Sequence, residues 1–147
     1  MINLPDEAAT LAAGAALAPL LRAGDIVLID GPLGAGKTTL VRGLLHALGH
    51  EGEVPSPSFA IVQPYDDIAL PLWHVDLYRI DSPAEMEELG LDTVLGEGVL
   101  VVEWPERAGE GAWPPSALTL SLGAREDGSR ALTAKAGQGW EDRWPPR

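Results

Sequence analysis

The feature that most constrains this chain is the glycine-rich stretch GPLGAGKT, residues 31–38. It matches the pattern G-x-x-x-x-G-K-[ST] without a gap, which is the pattern of a phosphate-binding loop. Glycine lets the backbone take left-handed conformations and approach a ligand closely. Successive N–H groups can then form a concave anion site, and a helix that begins near Lys37 adds the positive end of its dipole. The sequence therefore predicts that this loop holds phosphate groups.

Two side chains of the loop have predicted roles of their own. Lys37 is one of two lysines in the chain, and it stands where the motif needs a mobile positive charge for the β- and γ-phosphates. The hydroxyl of Thr38 is an oxygen ligand of the kind that Mg²⁺ accepts. The other nucleotide contacts of the loop are expected from Gly34, Ala35, Gly36 and Thr39.

The segments on either side of the loop have the hydrophobic patterns that the motif requires. Residues 26–29 are an apolar run that predicts a buried strand. After the loop, apolar residues recur at helical spacing, at Leu40, Val41, Leu44, Leu45 and Leu48. Strand, loop and helix in this order favour a phosphate site over a glycine-rich turn that binds nothing.

The rest of the chain alternates between strand and helix patterns. Asp6 is a plausible cap for an N-terminal helix over 4–21, and Gly24 marks its stop. Further strands are predicted at 58–65, 70–78 and 98–104, a short helix at 82–90, and a hairpin from 116–123 and 129–136. These elements predict an α/β fold: a single phosphate-loop NTPase domain over 1–147, with a mixed, mainly parallel sheet, flanking helices and a late β-hairpin. Residues 138–147 form a poorly patterned tail whose two tryptophans either pack on the body or hang loose.

Charge and composition limit where such a domain could act. The chain has ten lysines and arginines and twenty-two acidic residues, which give a net charge of −12. A protein that binds nucleic acid by itself usually carries a basic patch. Direct nucleic-acid binding is therefore not expected. No signal peptide or membrane span is predicted, and the absence of cysteine fits a cytoplasmic protein.

An enzyme with this loop needs an acidic residue near Mg²⁺, commonly at the end of a hydrophobic strand. Glu103 follows four consecutive apolar residues, and Asp76 follows a broken apolar run. The pattern favours Glu103 as the metal residue. Asp76 is then expected to orient the attacking water or to contact the phosphates.

Three further features leave alternatives open. Ser56 and Ser58, in SPSF, could sense the γ-phosphate through a hydroxyl as switch segments do, or could be plain turn residues beside proline. His74 lacks metal-ligand spacing, so a packed or surface histidine is the favoured interpretation. Trp104 could line the site or cap the sheet.

Four ordered segments carry a resemblance to a known family: GPLGAGKTTLVRGLLHALG, SPSF, HVDLYR and VEWPE. Together they resemble the bacterial tRNA threonylcarbamoyladenosine biosynthesis ATPases of the TsaE family, over nearly the whole chain. The resemblance implies a small phosphate-loop α/β domain that uses ATP and Mg²⁺. It implies as partners the threonylcarbamoyl-transferring subunit and its non-catalytic paralogue, which together modify the tRNA adenosine next to the anticodon. The tRNA would then be held by these partners.

The resemblance also implies roles for single residues. Thr38 and Glu103 are similar to the family's Mg²⁺ pair, and Asp76 to the residue that faces the nucleotide and its water. Glu7 is similar to an acid near the adenine, and Arg130 resembles a basic nucleotide contact. Two departures stand in the switch segment, where the family often has threonine at the position of Ser58 and another hydroxyl residue at that of Ala60.

Three functions remain open at this stage: a weak ATPase that drives the modifying complex, a small-molecule kinase, and an adaptor that only binds nucleotide. A kinase usually brings several arginines to the transferring phosphoryl group, and only Arg79 and Arg107 stand in the middle of this chain. With no arginine fixed by motif beside the loop and no room for a lid, the isolated ATPase is expected to be slow and partner-activated.

Overall fold

The structure is a computed structural model that describes residues 2–32, 34–54, 62–80, 84–85, 97–109, 111–140 and 143–144. Two α-helices and seven β-strands are present in these residues. In chain order they are β1 (Ile2–Leu4), α1 (Glu7–Leu17), β2 (Ile26–Asp30), α2 (Lys37–Ala47), β3 (Val62–Tyr65), β4 (Leu72–Asp76), β5 (Val99–Glu103), β6 (Leu118–Ala124) and β7 (Arg130–Lys135). Short 3₁₀ turns follow α1 at Ala18–Leu20 and β5 at Pro105–Ala108.

The strands form one sheet in the order β1-β7-β6-β2-β5-β4-β3. The central strands β6, β2, β5 and β4 are parallel to one another, while β7 and β3 pair antiparallel with their neighbours. Strand β1 is antiparallel to β7, so it runs in the direction of the central four. The predicted α/β class, with a mixed and mainly parallel sheet and a late hairpin, is confirmed.

The middle of the sheet is apolar on both faces, as parallel strands require when both faces are covered. Every residue of β5 is buried, and β2 is buried except at Asp30. Because β2, β4 and β5 are parallel, their carboxyl ends meet at the same edge of the sheet. This edge is where ligands of open α/β sheets bind, and it is where the loop, Asp76 and Glu103 lie.

Helices α1 and α2 pack against each other so closely that two positions have no room for a side chain. A Cβ added at Gly14 of α1 would clash with the backbone oxygen of Leu40, and one at Gly43 of α2 would clash with that of Leu11. The close contact keeps α2 fixed over the sheet. It thereby fixes the position of the first turn of α2, which follows the glycine-rich loop directly.

The N-terminal prediction is correct for the cap and wrong for the first and last residues of the helix. Asp6 caps α1, and its carboxylate accepts a hydrogen bond from the Ala9 N–H at 2.9 Å. Helix α1 ends at Leu17 and passes into the 3₁₀ turn, well before Gly24. Leu4 belongs to β1, where it pairs with Arg130. A three-residue strand whose partner lies near the other end of the chain leaves no local pattern.

The late hairpin and part of the tail are ordered against the body. Strands β6 and β7 pair antiparallel as predicted. The Trp140 side chain is fully buried, and its indole N–H donates to the Ser116 carbonyl at 3.1 Å. Arg143 donates to both carboxylate oxygens of Asp25, at 2.7 and 3.1 Å. Of the two interpretations of the tail tryptophans, packing is the one observed.

Several predictions fall outside the described residues. The switch candidates Ser56 and Ser58, and the departure at Ala60, lie in the undescribed range 55–61. The helix predicted at 82–90 also lies outside the described residues, apart from Ala84 and Glu85, which are helical. The strand expected over 58–65 is described from Val62 onward.

Candidate nucleotide-binding site

The glycine-rich loop joins the carboxyl end of β2 to the first turn of α2. Gly36 is the residue before the helix and has a left-handed backbone, with φ of 100° and ψ of 19°. Helix α2 begins at Lys37, so the free N–H groups of its first turn lie at the loop. This is the strand, loop and helix that the sequence predicts, and its geometry is that of an anion-binding helix N-terminus.

The ammonium group of Lys37 is folded back into the loop. Its Nζ donates to the carbonyls of Gly31 at 2.7 Å and Pro32 at 2.9 Å, and it lies 4.2 Å from the centre of the Trp104 ring. Burial lowers the pKa of Lys37, and the nearby carboxylates of Glu103 and Asp76 act in the opposite direction. The lysine is therefore held in place by neutral groups that a phosphate could replace.

Thr38 and Glu103 meet although they are far apart in sequence. The Thr38 hydroxyl lies 3.2 Å from Oε1 and 3.1 Å from Oε2 of Glu103, and it donates to that carboxylate. Glu103 is the last residue of β5, and its side chain is buried. The two residues singled out as the metal pair are thus in direct contact.

Asp76 ends β4 next to Glu103. The two residues are opposite each other in the parallel pairing of β4 with β5, and Asp76 is also buried. One of its carboxylate oxygens accepts the Tyr78 N–H at 2.9 Å. The two acids suggested by strand pattern therefore lie side by side at the carboxyl edge of the sheet.

His74 contacts Glu103, and the sequence did not indicate that it belongs to this site. It has no exposed surface, and its Nε2 lies 2.5 Å from Oε2 of Glu103. Of the two places expected for it, packed or on the surface, the structure shows the packed one, and the contact with a site residue was not predicted. No local spacing indicates it, because the contact depends on the pairing of β4 with β5.

Trp104 lines the site, and it is strained. It is the one residue other than glycine in the described part of the chain with a left-handed backbone, at φ 59°. Its ring contacts Tyr78, with ring centres 4.8 Å apart, and the Arg107 guanidinium lies 5.3 Å from the Tyr78 ring. Tyr78 and Trp104 thus form one side of the site, and Lys37 lies against the Trp104 ring.

The residues of the loop and of the two strand ends surround one cavity of about 460 Å³. It lies beside the loop, and Tyr78 at its mouth is 39% exposed. Its lining comprises Gly34, Gly36, Lys37, Thr38, Thr39, Asp76, Tyr78, Arg79, Glu103 and Trp104. No motif in the sequence predicted that Arg79 would lie beside the loop.

A second cavity, of about 240 Å³, lies on the other side of the loop and contains the remaining predicted residues. Glu7, Ala35, Thr39 and Arg130 are among those that line it. Arg130 donates to the carbonyls of Ala35 at 3.0 Å and Gly34 at 3.1 Å. The exposed Glu7 carboxylate pairs with Arg42 at 3.6 Å. The structure thus brings Glu7 and Arg130 to one pocket at the loop.

The residues at hand fit Mg²⁺ with a bound nucleotide better than a metal site built from protein alone. No group of three or more His, Cys, Asp or Glu side chains gathers around a possible ion site in the described ranges. Mg²⁺ is usually held by one or two carboxylates together with substrate phosphates and water. A hydroxyl and a carboxylate in contact at a phosphate-type loop match that ligand set.

Among the helices that the structure describes, none has both the length and the apolar character that a membrane crossing requires.

Comparison with known proteins gives consistent matches. A family model for the Threonylcarbamoyl adenosine biosynthesis protein TsaE matches residues 4–132. The tRNA threonylcarbamoyladenosine biosynthesis protein TsaE of Bacillus subtilis (strain 168) is 38% identical over 133 residues, which are 90% of this chain and 81% of the relative. The protein of the same name from Streptomyces coelicolor is 52% identical over 96 residues, 63% of this chain. The matched part is 65% of that relative's length, just under two thirds.

A solved structure agrees with the sequence matches. The crystal structure of Bacillus subtilis YdiB superimposes with a TM-score of 0.79 at 33% identity, covering 92% of this chain and 84% of that one. Since the family model covers most of the sequence and relatives above 30% identity span most of it as well, the chain belongs to the threonylcarbamoyl adenosine biosynthesis protein TsaE family.

Proposed function

We propose that this protein is a Mg²⁺-dependent ATPase that acts as the ATP-driven subunit of the machinery that forms threonylcarbamoyladenosine in tRNA. The observation that carries the proposal is the contact between Thr38 and Glu103, beside Lys37 and the N-terminus of α2. The link to threonylcarbamoyladenosine formation in tRNA comes from the names of the relatives. The cavity at the loop supports the nucleotide chemistry.

Lys37 and the loop backbone would bind the phosphates of ATP. On binding, the Lys37 ammonium exchanges the carbonyls of Gly31 and Pro32 for phosphate oxygens. The N–H groups of Gly34 and Gly36, that of Ala35 once it leaves the Pro32 carbonyl, and the first turn of α2 at Thr38 and Thr39 would add hydrogen-bond donors and the positive end of the helix dipole. A triphosphate is the ligand that uses all of these donors.

Thr38 and Glu103 would hold the Mg²⁺ ion that accompanies ATP. When bound, this ion neutralises charge that develops on the transferring phosphoryl group. The hydroxyl of Thr38, which donates to Glu103 in this structure, would serve as a ligand of the ion through its oxygen. Glu103 keeps its orientation through its other contacts.

Asp76 would orient the attacking water and accept its proton. It lies beside Glu103 in the sheet and lines the same cavity as Lys37, and one of its oxygens is fixed by the Tyr78 N–H. A positioned carboxylate at that place can direct a water molecule along the line of displacement. This assignment makes Glu103 the metal residue and Asp76 the base.

The second cavity would take the nucleoside part of ATP. Arg130 already donates to two carbonyls of the loop, so it couples strand β7 to the loop. Glu7 lies at the start of α1 on the same cavity. We propose that both contact the adenosine side of the ligand.

The partners would be the threonylcarbamoyl-transferring subunit and its non-catalytic paralogue, in the cytoplasm. The net charge of −12 argues against independent binding of tRNA, because nucleic acid attracts basic surfaces. We propose that tRNA is held by the partners and that this chain contributes ATP hydrolysis. The low hydrolysis rate expected of the isolated chain fits a subunit that completes its site in the complex.

We expect Glu103→Gln to leave ATP affinity largely intact and to remove most of the Mg²⁺-dependent hydrolysis, because the amide is a poorer Mg²⁺ ligand than the carboxylate. Asp76→Asn should slow hydrolysis as well, but with normal metal dependence. Phosphate release measured against Mg²⁺ concentration separates the two effects. The matched control is Glu126→Gln, which makes the same change at an exposed residue of the hairpin turn.

Wild-type hydrolysis by Glu103→Gln together with an inactive Asp76→Asn would reverse the assignment of the two acids. Equal Mg²⁺ dependence in both variants and the wild type would place the metal elsewhere. Glu126→Gln should match the wild type in every measurement.

A further inference from the structure

We propose that His74 is a positioning residue for the metal site: it donates a hydrogen bond that fixes the Glu103 carboxylate in the orientation that binds Mg²⁺. The inference rests on the proposed function and extends it to a residue that touches neither the nucleotide nor the metal. The contact that carries it is the 2.5 Å distance between His74 Nε2 and Glu103 Oε2.

The sheet explains why the histidine reaches this carboxylate. Side chains two residues apart lie on the same face of a strand, so His74 and Asp76 lie on the same face of β4. Asp76 is opposite Glu103 and His74 is opposite Val101 in the pairing with β5. His74 therefore lies two residues further from the carboxyl edge of the sheet than Asp76 and Glu103 do. Its imidazole reaches Glu103 from the interior of the sheet.

Glu103 thus has two hydrogen-bond donors, one on the loop helix α2 and one on β4. The Thr38 hydroxyl contacts both carboxylate oxygens from the loop side, and the imidazole contacts Oε2 from the core. A Mg²⁺ ion held by Thr38 and Glu103 would replace the hydrogen bond from Thr38 to the carboxylate. The histidine contact remains, and it prevents the carboxylate from rotating away from the loop.

Burial makes this hydrogen bond strong and specific. His74 is 0% exposed and Glu103 is 3% exposed, so water does not replace either partner. Nδ1 of His74 has no hydrogen-bond partner within the part of the chain that the structure describes. The tautomer with its proton on Nε2 leaves only a lone pair unpaired at Nδ1, whereas a proton there would be an unpaired buried donor. The imidazole therefore presents its N–H to Glu103.

Residues that orient a metal ligand typically affect metal affinity by roughly 10–100-fold when they are replaced. Replacing a residue that serves only packing lowers the stability of the fold, and any loss of affinity is then similar for the metal and for the nucleotide. This difference provides a test. The variants are His74→Gln, whose amide nitrogen can reach the position of Nε2, and His74→Asn, whose amide nitrogen falls short at the position of Nδ1.

The experiment measures two affinities for the wild type, His74→Gln and His74→Asn. Mn²⁺ binding in the presence of a non-hydrolysable ATP analogue is followed by electron paramagnetic resonance. Binding of the same analogue in EDTA is followed by calorimetry. We expect His74→Asn to lose roughly 10–100-fold in Mn²⁺ affinity, with analogue affinity in EDTA within about threefold of the wild type. His74→Gln should recover most of the Mn²⁺ affinity.

The proposal is overturned if His74→Asn binds Mn²⁺ as tightly as the wild type, or if both variants lose metal and metal-free analogue binding to the same extent. Circular dichroism and thermal unfolding establish which variants fold. If His74→Asn does not fold, His74→Leu replaces it, with the same expected loss of Mn²⁺ affinity. If neither variant folds, His74→Gln decides: Mn²⁺ affinity near that of the wild type supports the proposal, and a loss of tenfold or more contradicts it.

Failure of the proposed function has a different outcome. In that case the wild type itself binds neither the analogue nor Mn²⁺ in its presence. Failure of the inference alone leaves wild-type binding intact and Glu103→Gln deficient in Mn²⁺, with His74→Asn normal.

Discussion

Lys37→Ala is expected to weaken ATP binding roughly ten- to hundred-fold. Hydrogen bonds to charged groups contribute about 1.5–3 kcal/mol, and Lys37 is the residue at the loop that the motif assigns to the β- and γ-phosphates. The variant also removes the group that contacts Gly31, Pro32 and Trp104, so the empty site loses contacts too. Calorimetric titration with ATP at fixed Mg²⁺ measures the change.

The chain supplies its own control for this substitution. Lys135 is the only other lysine and is exposed on β7. Lys135→Ala removes the same charge and should bind ATP as the wild type does. Unchanged affinity in Lys37→Ala would remove the assignment of loop 31–38 as the phosphate site.

Adding the two partner subunits should raise the ATPase rate by a large factor, up to about 10³–10⁵ if a partner contributes a charge-stabilising arginine. The isolated site has Lys37 turned toward loop carbonyls and the Trp104 ring. Arg79 lines the cavity, so some positive charge is present without a partner. A partner that favours a closed arrangement would act by raising the population of a minor conformation.

The measurement is steady-state ATPase activity with and without the two subunits, at matched Mg²⁺ and salt. Lys37→Ala mixed with the same subunits controls for contaminating ATPases and should show no rise. An unchanged rate, together with no ATP-dependent complex on a sizing column, would contradict the tRNA-modification proposal. The chain would then be a nucleotide-binding domain of another kind.

The parts of the site that the sequence predicts are those determined by local backbone chemistry. The loop is recognisable because Gly36 must take a left-handed conformation directly before α2, and Lys37 and Thr38 have fixed places relative to it. Glu103 and Asp76 are recognisable because each ends a strand. Parallel pairing then brings both to one edge, as the predicted fold class implies.

The parts that the sequence did not predict depend on contacts between distant segments. His74 reaches Glu103 only because β4 lies beside β5. Arg130 was expected near the nucleotide only from the family resemblance, and it lies beside the loop because β7 and β1 extend the sheet on that side. The short strand β1 has no pattern of its own, and Leu4 was therefore assigned to the helix.

Trp104 and Trp140 illustrate the same limit for aromatic residues. The sequence left two roles open for Trp104, lining the site or capping the sheet, and two for Trp140, packing on the body or extending away from it. The strained backbone at Trp104 turns its ring toward Lys37, and the hydrogen bond from Trp140 to Ser116 fixes the tail. Both outcomes follow from three-dimensional neighbours.

The most direct test of the account is formation of threonylcarbamoyladenosine in tRNA by the partner subunits, with ATP, in the presence of this protein, in its absence, or with Lys37→Ala. Modified nucleoside is quantified by mass spectrometry after digestion of the tRNA. We predict sustained modification with the wild type, and a fall with Lys37→Ala to the level without the protein. Equal modification in all three reactions would contradict the account.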